Sequence, residues 1–108
     1  MNTLYANSPD GTQVAYDRSG TGPAIVLLHG GGSMRQEWHE AGYVRRLRDN
    51  FTVITVDLRG HGESGLPTDP ADYTTDKMGQ DILAVADACG IERFIIWGQG
   101  QPLFGRPI

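Results

Sequence analysis

The sequence predicts an α/β fold, on three observations. Apolar runs of strand length alternate with helical segments, a β-hairpin signature precedes them, and no internal repeat, charge block or low-complexity tract interrupts the pattern. At 108 residues the chain has room for one domain, 1–108, and two independent domains are excluded.

Taken in order, residues 3–5 and 13–17 are separated by Ser8-Pro9-Asp10-Gly11, whose Pro and Gly suit a tight reversal, so this stretch reads as a β-hairpin. After the polar break Ser19-Gly20-Thr21-Gly22-Pro23 comes Ala24-Ile25-Val26-Leu27-Leu28, a continuous apolar run of the kind found when both faces of a strand are covered. Phe51-Thr52-Val53-Ile54-Thr55-Val56 predicts a second central strand. Between the two, residues 38–48 carry Trp38, Tyr43, Val44 and Leu47 and predict one irregular amphipathic helix. In residues 76–89, Met78, Ile82, Val85, Ala86 and Cys89 share one helical face. Thr74 or Thr75 can cap that helix, Asp76 complements its positive end, and Gly90 follows its last periodic residue. Phe94-Ile95-Ile96-Trp97 then reads as a third central strand, and the short Pro-containing tail after it leaves no room for a further helix.

Composition narrows the function classes. Hydrophobic residues make up 39% and charged residues 20%, ordinary globular values. Thirteen acidic against nine basic side chains give a net charge of -4, with no basic stripe to track a phosphate backbone, so nucleic acid is not an expected partner. No apolar run is long enough to cross a bilayer, and residues 1–10 lack the basic start and apolar core of a signal peptide, so no membrane partner is expected and a reducing cytoplasm is the expected address. The single cysteine, Cys89, lies on the apolar helix face and reads as a small buried thiol.

Two motifs carry chemistry. Directly after the first central strand stands His29-Gly30-Gly31-Gly32, where backbone amides can turn away from the sheet without interference from a Cβ and can hold an oxyanion. Directly after the second comes Asp57-Leu58-Arg59-Gly60-His61-Gly62-Glu63-Ser64. The pair, in this order and spacing, resembles the α/β-hydrolase superfamily, and the likeness runs from the hairpin to Trp97. It implies a partial α/β-hydrolase fold: three layers, a mostly parallel sheet, an N-terminal hairpin, and the far half missing.

In that family the strand matching Phe94-Ile95-Ile96-Trp97 runs into a Gly-x-nucleophile-x-Gly elbow. The matching residues here are Gly98-Gln99-Gly100-Gln101-Pro102, so Gly100, with no side chain to attack a carbonyl, holds the nucleophile position. Gly98 and Gly100 are what remains of the elbow, and Pro102 replaces its second glycine. The family's acid and histidine lie further along than Ile108. The resemblance therefore transfers only an oxyanion hole, made by the amides of Gly31 and Gln101. No turnover is expected of the chain as written, which reads as a truncated fragment of a hydrolase of ester, lactone, epoxide or similar bonds. No cofactor is implied.

Other candidates have plainer readings. His29 resembles a structural position of the family rather than a general base, and His39 and His61 give no better base. The three histidines show no ligand-like spacing, so no metal site is expected. Ser64 lies in a loop without an identifiable base and resembles a structural residue. Gly60-His61-Gly62-Glu63-Ser64-Gly65 matches a dinucleotide fingerprint, but that motif must open a helix, and Leu66-Pro67-Thr68-Asp69-Pro70 predicts a proline-broken loop. Two other function classes stand beside the silent fragment: a binding or regulatory module that pairs or self-associates through Phe94-Ile95-Ile96-Trp97 as an exposed apolar edge, and an enzyme completed by a second chain.

Overall fold

A computed structural model describes residues 3–30 and 32–98. Among the described residues one sheet has five strands: β1 (Leu4–Asn7), β2 (Gln13–Ser19), β3 (Ala24–Leu28), β4 (Thr52–Val56) and β5 (Phe94–Gly98), ordered β1-β2-β4-β3-β5. The hairpin β1–β2 forms as predicted, closed by Gly11 N–H donating to Ser8 O and Ser8 N–H donating to Thr12 O, 2.9 Å each. It joins the rest through an antiparallel β2–β4 pair, while β4–β3 and β3–β5 are parallel. The sheet is thus parallel where β3 lies and antiparallel on the hairpin side.

Every residue of β3 and β4 is buried, as the uninterrupted apolar run of β3 requires of a strand covered on both faces; β4 also buries Thr52 and Thr55. Period-two alternation sorts them between layers. Val26, Leu28, Ile54 and Val56 meet Ile82, Val85 and Ala86 of α3 (Thr75–Ala88) on one face. On the other, Ile25, Leu27 and Val53 meet Trp38 and Val44. Each fully buried aliphatic side chain of this kind contributes about 1.5–3 kcal/mol of burial.

The helix expected over 38–48 is two short ones, α1 (Gln36–Glu40) and α2 (Tyr43–Leu47). Gly42 between them has φ of 85°, a left-handed turn that ends one helical path and starts another. The apolar spacing was therefore real, but it belongs to two turns of helix meeting at an angle. α3 starts where predicted: Thr74 Oγ1 accepts the Lys77 amide at 3.2 Å. Gly90 follows its C-terminus with its amide on Asp87 O. The loop expected before α3 contains a 3-10 turn, Pro70–Tyr73, begun by Asp69, whose carboxylate accepts the Ala71 amide.

The third apolar run forms β5, and it takes the edge position. Among the described residues it is one of the two edge strands, β1 being the other; it pairs with β3 alone, and Ile95 and Trp97 are each 44% exposed. Trp97 is partly covered by Tyr43 and Trp38, with ring centroids at 5.5 and 6.3 Å.

Candidate functional site

The two motif loops leave the sheet side by side. β3 and β4 are paired in register from Ala24↔Thr52 to Leu28↔Val56, so His29 and Asp57 emerge at neighbouring strand ends. Asp57, with no exposed surface, organises both loops. Its Oδ1 accepts the Arg35 amide at 2.7 Å, and its Oδ2 accepts the Glu63 amide at 2.9 Å and the Arg35 guanidinium. A carboxylate enclosed this way, with both oxygens turned to backbone and arginine donors, is a structural clamp rather than a group presented to a substrate. The glycines beside it are required by space: a Cβ on Gly62 would overlap the Asp57 carboxylate, and one on Gly60 would overlap the Tyr73 ring. The fingerprint-like glycines are therefore explained by packing, and the loop they form opens no helix, which excludes the dinucleotide reading.

Ser64 is likewise committed. Its hydroxyl donates to Asp57 O at 2.6 Å and accepts the Ala15 amide at 2.8 Å, tying the loop to β2 in a buried position without a histidine partner. It is not a spare nucleophile.

The histidines, far apart in sequence, come together. His29 Nε2 accepts the Leu58 amide at 3.1 Å and Nδ1 lies 2.8 Å from Gly30 O. Because a backbone amide can only donate, Nε2 must carry the lone pair and Nδ1 the proton. His61 repeats the arrangement, with Nε2 accepting the Gly32 amide at 3.3 Å and Nδ1 lying 3.0 Å from Arg59 O. The two rings lie 4.7 Å apart. Burial, reinforced by the neighbouring His61, lowers the pKa of His29 from its ordinary value. With its one lone pair occupied, His29 is no general base. His39 Nε2 lies 3.2 Å from both Thr55 Oγ1 and Asp17 Oδ2, away from this pair.

Two buried arginines, which the sequence reading did not single out, hold the loops to the scaffold. Arg35 reaches Asp17 at 3.0 Å and Glu63 at 2.9 Å, besides Asp57 and Thr3. Burial alone would lower its pKa, but these carboxylates outweigh burial and raise it. Arg59 grips Asp81 of α3 through Nε at 2.9 Å and Nη2 at 2.6 Å, and reaches Asp10 at 2.8 Å and the Asp72 carbonyl at 2.9 Å. The pKa of Arg59 is raised chiefly by the bonds to Asp81. In return, the Arg59 bond holds the Asp10 carboxyl well below the usual carboxylate range. One signal for this network was available: Asp81 falls on the apolar face of α3, three positions after Met78, where an acid needs a partner.

A pocket of about 90 Å³ opens beside the glycine loop, lined by His29, Ser33, Glu37, Trp38, Ala41 and Tyr43. Ser33 Oγ and Trp38 Nε1 are buried without a protein hydrogen-bond partner. The volume suits about three water molecules and falls well short of the several hundred Å³ of an ordinary small-molecule site. Among the described residues no group of three or more His, Cys, Asp or Glu side chains could hold a metal ion, and no helix is long and apolar enough to cross a membrane.

Of the residues assigned from sequence, Gly98 is described, as the last residue of β5 and directly opposite Leu28. Gly31, Gly100 and Gln101 lie outside the described residues.

The comparisons agree with this architecture. A family model described as alpha/beta hydrolase fold matches residues 23–100. An uncharacterised protein of Mycobacterium tuberculosis is 39% identical over 99 residues, which are 89% of this chain and 27% of that protein. Epoxide hydrolase 3 of Siraitia grosvenorii is 34% identical over 80 residues, 73% of this chain and 25% of its own length. A solved structure among novel epoxide hydrolases from hot-environment metagenomes superposes with a TM-score of 0.83 at 31% identity, covering 92% of this chain and 33% of that one. The chain thus spans about a quarter of the length of these curated relatives. On fold, motif geometry and sequence together, it belongs to the α/β-hydrolase fold family.

Proposed function

We propose that this chain is the front portion of a hydrolase acting on an ester, lactone, epoxide or similar carbon–heteroatom bond, and that the polypeptide as written is catalytically silent. The observation that carries the reading is the β3–β5 register. Leu28, which precedes His29-Gly30-Gly31-Gly32, lies opposite Gly98, which precedes Gln99-Gly100-Gln101. The chain therefore leaves β5 beside the glycine loop, an arrangement suited to two amides, of Gly31 and Gln101, converging on one developing oxyanion. The resemblance to the family's elbow assigns Gly100 the position of the attacking group, and glycine offers none. Residual acceleration from an oxyanion hole needs an assembled pocket, and the pocket beside Trp38 is small. Likeness to epoxide hydrolases supports the bond class.

The test is hydrolysis of a short-chain p-nitrophenyl ester and of a simple epoxide by the purified chain, beside Gly100→Ser and a buffer blank. No turnover in either protein is the expected result. Saturable turnover by the unaltered chain would overturn the assignment of Gly100.

A second reading has one observation in its favour. Ile95 and Trp97 stand exposed on an edge strand, a surface suited to strand addition by another chain or a second copy. Neither nucleic acid nor membrane fits the acidic charge balance. Cys89, partly buried and unpaired, is compatible with a reducing cytoplasm.

A further inference from the structure

The two histidines of the motif loops are bound in a reciprocal pattern. Each ring returns its Nδ1 proton to a carbonyl of its own loop: His29 to Gly30 O and His61 to Arg59 O. Each offers its Nε2 lone pair to an amide of the other loop: His29 to Leu58 N and His61 to Gly32 N. Two loops that leave neighbouring strands are thus stitched in both directions across rings 4.7 Å apart. Packing of uncharged side chains would not need this choice of tautomer. It is imposed by two backbone amides, which can only donate.

We propose that His29 and His61 are positioning residues forming a reciprocal latch between the two motif loops, and that a proton on either Nε2 releases the amide it holds, so that acid frees the glycine loop. The inference stands whether or not the chain turns over a substrate. An imidazolium has no acceptor, so protonating His61 breaks its bond from Gly32 and protonating His29 breaks its bond from Leu58. Charging both places like charges 4.7 Å apart.

The groups that face the pair are few. Asp57 and Glu37 favour a charge on His29, and His61 opposes it. Asp57 is already matched by Arg35, which also takes Asp17 and Glu63, so a new imidazolium finds no unpaired acid on the sheet side. Glu37, on α1, is exposed. The sign of the effect follows from burial, which holds His29 below its ordinary value of about 6.5. The unfolded chain takes the proton first, so the stability contributed by His29 is complete above that pH and is lost as pH falls below it.

The experiment uses the uniformly ¹⁵N-labelled chain. Long-range ¹H–¹⁵N spectra at neutral pH should show both rings as Nδ1–H tautomers with unprotonated Nε2. On acidification the Gly32 amide should move upfield with the His61 ring and the Leu58 amide with the His29 ring, a crossed pairing that only the latch produces. His61→Gln places a non-titrating acceptor near the same point, so Gly32 should stay anchored with a flat pH profile while Leu58 still titrates. His61→Phe should put Gly32 at its acid-limit position at neutral pH. A proton on Nε2 of His61 in the unaltered chain, or a Gly32 titration that persists in His61→Gln, would overturn the proposal.

Discussion

Arg59 is the largest of the fully buried side chains, and it lies in the motif that carries the family likeness. Its guanidinium joins four segments: the hairpin turn through Asp10 and Ser8, its own loop, the 3-10 turn through Asp72 O, and α3 through Asp81. Removing one partner from such a site leaves a buried charge uncompensated, which costs about 3–5 kcal/mol, whereas removing both is far less harmful. Arg59→Met should therefore lower stability by about that amount, a large share of the roughly 5–15 kcal/mol typical of a domain. Arg59→Met with Asp81→Leu should lose less than the sum of the single changes. Urea unfolding followed by circular dichroism measures both; additive losses would show that the two side chains are not coupled. Sequence alone placed Arg59 inside a motif but could not show its partners, because Asp10, Asp72 and Asp81 reach it only once four segments have packed. His29 and His61 were hidden for the same reason: tautomer and partner depend on loops that meet in space.

At the scale of elements, β3 was legible because a strand covered on both faces needs an unbroken apolar run, and β4 because its Val, Ile and Thr residues are β-branched strand formers. α3 was legible from its period and its Thr74 cap. The 38–48 region was not, because two short helices on one core can carry the same apolar spacing as a single longer one. Only the conformation of Gly42 distinguishes them. A Cβ on Gly42 meets nothing nearer than the end of Arg45, at 3.8 Å, so the penalty for adding one is conformational rather than steric. Gly42→Ala should cost about 1–2 kcal/mol, the penalty of a left-handed L-residue, read as a lower denaturation midpoint with an unchanged slope. An unaltered midpoint would mean that the α1–α2 break does not depend on positive φ. β5 was legible as a strand and as an edge, but the strand it pairs with was not, since the order β4-β3-β5 is a property of topology rather than of any local run.

For the whole molecule, the expected consequence concerns the side of β5 that is unmatched among the described residues. An edge strand showing Ile95 and Trp97 offers backbone groups and apolar surface together, the combination that promotes pairing between chains. Sedimentation velocity should show association that grows with concentration, and Ile95→Lys with Trp97→Lys should restore a monomer. A monodisperse monomer at high concentration of the unaltered chain would remove the argument. The register of the same strand has a kinetic consequence. Ala24 pairs with Phe94, about 70 positions along the chain, whereas the hairpin pairs Asn7 with Gln13. Closing a span of that length carries an entropic cost of about 4 kcal/mol before any contact rewards it. During synthesis the hairpin, β3 and β4 emerge well before β5, so the buried strand β3 spends that interval with one side open to solvent and to neighbouring chains. The nascent polypeptide is therefore most exposed to misassembly while residues 57–93 are being added, a window in which a chaperone binding extended apolar segments has β3 as its natural target.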